Sequence, residues 1–161
     1  ISPDSIRGMA KDAIVFPSAN PIPEIWPWEA KEAGARIVGT GRSDFPNQVN
    51  NSTGFPAIFR GVLDVGAKTI SDQMCVAAAV ALASYAEEQG IHEEYISPTM
   101  DEPEALIREA VAVGMQAQKE GLAAEKMSAE ELRSKVEQTI GLGRETHDAL
   151  VKAGCIAPAQ T

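Results

Sequence analysis

Two short apolar runs stand near the start of the chain, Ala13–Ser18 (AIVFPS) and Ala35–Thr40 (ARIVGT), with a helical stretch near Trp28–Ala33 between them that Gly34 can close. Each run is continuously apolar rather than alternating, the pattern of a strand covered on both faces in a parallel sheet. Ser2 followed by Pro3 has the form of an N-cap and first turn, so a short helix is predicted over Pro3–Met9, feeding the first strand. Beyond Thr40 the polar stretch Gly41–Pro56 has no hydrophobic period and predicts a long loop, of a length usual for functional or disordered loops.

From Ala57 onward the period changes to that of helices. They are predicted over Ile58–Val65, over Ser71–Gln89 ending at Gly90, over Pro103–Gln118, and over Ala129–Ala153 ending at Gly154. Ser128 with Glu131 has capping-box spacing, and Asp101 with Glu104 has a similar one. Leu132, Val136, Ile140, Gly143, His147, Leu150 and Gly154 recur at three and four, laying one apolar stripe along the last helix that should pack mainly on its own chain. Met74–Ala83 is apolar all round and reads as core, with Cys75 buried within it.

Two strands do not make a stable parallel sheet, so the rest of the sheet must come from elsewhere. The expected class is α/β: a partial Rossmann-like parallel sheet, with two strands in this chain and the remainder supplied upstream, followed by a helical C-terminal region. The division falls at 1–66 for the sheet-bearing part and 67–161 for the helices packing on it. With no initiator Met and a first element that reads as a crossover helix, the sequence is expected to be the latter part of a longer chain.

Composition narrows the function. The 161 residues are 44% hydrophobic, 23% charged and 5% aromatic, which fits a globular fold. The net charge of −9 disfavours nucleic acid and anionic membrane as partners. Residues 1–60 are balanced, and the acidic surplus lies in the helical part. No apolar run approaches the roughly 20 residues of a membrane span. Two cysteines, Cys75 and Cys155, form neither a disulfide framework nor a zinc spacing, so a reducing, cytoplasmic setting is expected.

The ionisable residues offer little catalysis. His147 lies on the apolar stripe and reads as a packed histidine, and His92 as a solvated one; the pairs Glu87/Glu88, Glu93/Glu94 and Glu130/Glu131 point about 100° apart on a helix and do not share a site. Neither Gly39-Thr-Gly41 nor Gly141-Leu-Gly143 completes a dinucleotide fingerprint; the first reads as a strand-end turn and the second as a close helix contact. The asparagines are different. Asn20 follows the first strand, and Asn47, Gln48, Asn50 and Asn51 follow the second, all at the carboxyl edge where open α/β sheets bind ligands. Amides offer donors and an acceptor without charge, which suits a carboxylate, a hydroxyl or a carboxamide, although asparagine also favours turns.

The segments MAKDAIVFPSANPIPEI and GARIVGTGRSDFPNQVNNSTGFPAIFRGVLD resemble the cofactor-domain segment of prokaryotic-type malic enzymes. The likeness runs from Ile1 to about Met74 in distinctive motifs, and the remainder, including EEYISPTMDEP, is similar to that family's C-terminal region. Phe16-Pro17-Ser18 and Ala57 depart from its pattern. The resemblance implies oxidative decarboxylation of L-malate to pyruvate and carbon dioxide with reduction of NAD or NADP, assisted by a divalent cation, Mg or Mn. Asn20 would face the nicotinamide ribose and malate, making it both a cofactor-binding and a substrate-binding residue; Asn50 and Asn51 would bind malate. The lysine base, tyrosine acid, acidic metal ligands and glycine fingerprint would lie upstream, leaving no catalytic and no metal residue in this segment, and a homodimer is implied. A helical regulatory domain, or a piece of another two-domain dehydrogenase, are the readings that remain open.

Overall fold

The computed structural model describes residues 1–157; the end of the predicted helical region, 158–161, lies outside the described residues. Helix α1 (Pro3–Arg7) starts where the Ser2 hydroxyl accepts from the Ser5 N–H at 3.3 Å. Strand β1 (Ile14–Val15) runs through a crossover helix α2 (Pro27–Glu32) to a parallel partner β2 (Ile37–Val38), with Ile14 opposite Ile37 and Val15 opposite Val38. Gly34, at φ 108°, makes the left-handed turn out of α2 that its sequence position predicts.

The sheet is shorter and more open than the apolar runs suggest. Pro17 has no N–H to donate, so β1 stops before it. Val15, Val38, Ile6, Ile25 and Ala30 form the core on one side, whereas Ile14 and Phe16 are about half exposed on the other. The expectation of strands covered on both faces is therefore corrected for the described residues: continuous hydrophobicity marks a face that can be buried, and among these residues no element lies over it.

A 3-10 turn (Asn51–Thr53) leads into α3 (Phe55–Asp64), followed by α4 (Asp72–Gln89), α5 (Pro103–Lys119) and α6 (Ala129–Lys152). Helix α5 lies between the other three. Val65, Met74, Ala110, Val113, Leu132 and Val136 fill the core they share. Although it belongs to the 1–66 part, α3 packs into this core through Ala57. Its contact with α5 is close because Gly61 lies against the Ala110 carbonyl and Gly114 faces back toward α3. Arg60 donates to both Asp64 carboxylate oxygens at 2.8 and 2.6 Å, and Lys135 donates to the Asp64 carbonyl at 2.7 Å, tying α3 to α6.

Several helical expectations are corrected. The Ser128/Glu131 capping box forms, with the Ser128 N–H donating to Glu131 Oε2 at 2.8 Å, but Glu102 and not Asp101 stands at the N-cap of α5, and no side chain caps that helix, since the Glu102 carboxylate accepts from the Thr99 N–H at 2.8 Å instead. The α6 stripe is buried only over Leu132 and Val136; beyond Ile140 it leaves the core, so His147 and Leu150 are exposed and nothing lies within 4 Å of a Cβ placed on Gly143. Cys75 is exposed, since α4 buries Met74, Ala78, Tyr85 and Ala86 and turns Val76 and Val80 outward. Among the described residues no helix is long and apolar enough to cross a membrane.

Candidate functional site at the sheet's carboxyl edge

The loops that leave β1 and β2 meet over Gly41. A Cβ on Gly41 would stand 2.7 Å from both Asn20 Nδ2 and the Ser18 carbonyl, so glycine is what lets the first loop close on the second. Asn50 Nδ2 donates to the Gly41 carbonyl at 3.0 Å, and Gln48 Nε2 donates to the same oxygen at 3.4 Å. Asn20 and Asn50 thus flank one residue, and with Pro21, Arg42 and Asp44 they line an open groove of about 450 Å³.

The asparagines divide by how much of their bonding is already used. Asn47 is buried and saturated: Nδ2 donates to the Val38 and Glu93 carbonyls at 3.2 and 2.8 Å, and Oδ1 accepts from the Ile96 N–H at 3.0 Å. It staples β2 to the 93–96 segment. Asn50 also braces the loop, because Oδ1 caps the 3-10 turn by accepting from the Ser52 N–H at 2.9 Å. Asn20 and Asn51 are exposed, and their side-chain amides make no hydrogen bond among the described residues. Asn51 opens the turn next to Asn50 but lies outside the lining of the groove.

Arg42 escaped the sequence reading. Its guanidinium donates to the Pro21 carbonyl at 2.6 Å and, through two nitrogens, to Asp44 at 2.8 and 2.6 Å. It lies 5.7 Å from the ring centres of both Trp26 and Phe45. Hydrogen bonding to Asp44 raises the Arg42 pKa, and the same bond holds the Asp44 carboxyl below its ordinary range. The one signal in the sequence was its place in GRSD, directly after a strand. The groove's cation is thereby neutralised, and what it offers a ligand is chiefly amide chemistry.

On the far side of the 43–52 loop lies a more enclosed cavity of about 390 Å³, lined in part by Phe45, Ser52, Tyr95 and Asp101. Its wall is set by Tyr95, whose hydroxyl donates to Glu102 at 2.8 Å. Burial, then that bond, pushes the Tyr95 pKa up to about 12. Burial works against charge on Glu102, but the Thr99 N–H and the tyrosine hydroxyls outweigh it and hold the carboxyl below its usual range. Among the described residues no three of His, Cys, Asp and Glu come together as a metal cluster.

A parallel strand–helix–strand unit with polar groups converging at its carboxyl edge defines a segment of a nucleotide-binding α/β domain. A family model described as "Malic enzyme, NAD binding domain" matches residues 35–120. The bifunctional malic/malolactic enzyme of Bacillus subtilis (strain 168) is 43% identical over 143 residues, covering 89% of this chain and 35% of that protein. The NAD-dependent malic enzyme of Geobacillus stearothermophilus is 46% identical over 120 residues, covering 74% and 25%. The crystal structure of Entamoeba histolytica malic enzyme superposes with a TM-score of 0.95 at 46% identity, covering 99% of this chain and 33% of that one. The chain belongs to the malic enzyme family, in its NAD-binding domain, and spans between a quarter and about a third of these relatives' length.

Proposed function

We propose that this chain is the part of a malic enzyme that presents neutral amides to L-malate and to the nicotinamide end of NAD or NADP, in an enzyme that forms pyruvate and carbon dioxide. The observation that supports it best is the convergence of Asn20 and Asn50 on Gly41, at the carboxyl edge of parallel strands. In this reading 1–66 is the second part of the dinucleotide-binding domain and 67–161 the helical region packed on it, with α3 shared between them.

Asn20 and Asn51, whose amides are uncommitted, are the ligand-facing pair. Asn20 donates toward the nicotinamide ribose and malate. Asn51 donates to a malate carboxylate, and Asn50 holds the turn that aims it while keeping one N–H for the substrate. When bound beside Asn20, the nicotinamide would supply the hydride acceptor for malate's hydroxyl carbon. With Arg42 tied to Asp44, the positive charge that a dicarboxylate needs, together with the Mg or Mn ion, belongs to other parts of the complete enzyme. The complete enzyme is read as a homodimer in the cytoplasm.

Asn51→Ala in the complete enzyme tests this. Losing the amide that would pair with a malate carboxylate costs roughly 1–3 kcal/mol, so the malate KM rises, turnover falls, and kcat/KM drops by one to two orders of magnitude. A folded variant with unaltered malate kinetics removes Asn51 from the substrate site.

A further inference from the structure

Glu109, on α5, is 0% exposed. Neither of its carboxyl oxygens has a hydrogen-bond partner among the described residues. Oε1 stands 3.6 Å from the position a Cβ would take on Gly54, the residue that ends the Asn51–Thr53 turn and opens α3. The carboxyl therefore lies beside Gly54, where the turn that follows Asn50 and Asn51 passes into α3.

An unpaired buried carboxylate is costly, so the group is held protonated. Desolvation pushes its pKa up to about 8, and no charged neighbour contributes. The ionisable groups on the surrounding helices are engaged with one another. Arg60 on α3 holds Asp64; Arg108 on α5 itself bonds Glu104 and Glu88 and lies over Tyr85 of α4; Arg133 on α6 bonds Glu104 and Glu137; Lys135 takes the Asp64 carbonyl.

We propose that Glu109 is a positioning residue for the Asn50–Asn51 pair, a neutral acid that supports the Asn51–Gly54 turn from within and releases it on losing its proton. Once charged, the carboxylate must gain water or a donor. Gly54 is the adjoining backbone with no side chain to keep water out, and the first N–H groups of α3, which have no intrahelical acceptor, attract the charge. Either response displaces the turn, and with it the amide of Asn51.

The proposal rests on the reading of Asn50 and Asn51 as malate ligands, and its test separates the two. The complete enzyme is compared as wild type, Glu109→Gln and Glu109→Met. Amide exchange over residues 50–58, corrected for the intrinsic pH dependence of exchange, is followed from pH 7 to 9.5, alongside malate KM and kcat. At pH 9 about one molecule in eleven keeps the protonated acid, so the wild-type malate KM rises about tenfold from pH 7 while kcat holds, and protection over 50–58 falls in parallel. In both variants the pH-dependent loss of protection and the KM rise are absent, and the Gln variant keeps the pH 7 KM within about twofold. Wild-type protection that stays constant to pH 9.5 overturns the proposal, as does a loss of protection that the Gln variant shares. If the exchange change appears but neither Asn51→Ala nor pH alters malate KM, the support role of Glu109 stands and the substrate reading fails.

Discussion

Replacing Gly61 by alanine tests the close contact of α3 with α5, on which the placement of Glu109 beside Gly54 depends. The new Cβ would fall well inside contact distance of the Ala110 carbonyl oxygen and 3.1 Å from both Gly114 N and Val113 Cβ. Two of these three atoms are backbone, so relief requires the helices to move apart and loosens Ala57, Ala110 and Val113 in the core. Overpacking of this kind costs about 1–3 kcal/mol, and carbonyl obstruction places it at the upper end. Against that, alanine gains about 1 kcal/mol over glycine inside a helix. The net expectation is a loss of about 1–2 kcal/mol, with Gly114→Ala and Gly143→Ala as controls. At Gly114 the nearest obstacle is the Leu132 Cδ2 side-chain tip at 2.6 Å, with Val65 Cγ1 at 3.2 Å and the Gly61 carbonyl oxygen at 3.3 Å behind it, so the cost is smaller than at Gly61 without vanishing. At Gly143 nothing lies within 4 Å, and the helix-propensity gain of up to about 1 kcal/mol is left alone. Native-state amide exchange of α3 and α5 in the complete enzyme reads the local opening energy without assuming two-state unfolding. If Gly61→Ala costs no more than Gly114→Ala, the backbone contact is not the constraint described. A destabilised Gly143→Ala would mean that another chain or segment covers that face of α6.

Tyr95→Phe removes a hydroxyl from Glu102 and should cost about 1 kcal/mol near neutrality by thermal or denaturant unfolding. Because the folded pKa of Tyr95 is raised, its stabilising effect is complete below pH 10 and is lost as pH rises toward about 12; burial raises Tyr85 as well, so ultraviolet titration should show late tyrosinates from both, and the one that disappears in the Phe variant is Tyr95. Ser128→Ala breaks the capping box that starts α6 and should lower stability by about 1 kcal/mol, with faster exchange confined to the first turn of α6; a uniform loss across the helices would contradict a cap effect.

Local chemistry was the most legible part of the sequence. Ser2–Pro3, Ser128 with Glu131 and Gly34 work through hydrogen bonds and dihedrals within a few residues, and each sits where its pattern places it. The order of strands and loops was equally readable, and it brings Asn20 and Asn50 together at Gly41. Partners distant in sequence were not readable. Asn47 looks the same as Asn50 in PNQVNN, yet its bonds run to Glu93 and Ile96, which no spacing rule connects to it. The N-cap of α5 was misplaced by one residue for a local reason, since Glu102 and not Asp101 stands there and the Glu102 carboxylate accepts from Thr99 instead of capping the helix.

Periodicity identifies a face of a helix but not what lies against it. Leu132, Val136, His147 and Leu150 share one stripe on α6, and the structure buries the first pair while leaving the second in solvent. Nothing in the sequence singled out Glu109, which stands in REAVAVG between apolar neighbours. It is buried where α5 meets the start of α3, with Oε1 3.6 Å from the position of a Cβ on Gly54. A charged residue on a helix is therefore informative only in relation to the small residues that set how near the next helix can come. Here Gly54, with no side chain of its own, leaves the buried Glu109 carboxyl beside the turn that follows the Asn50–Asn51 pair, where desolvation favours its protonated form.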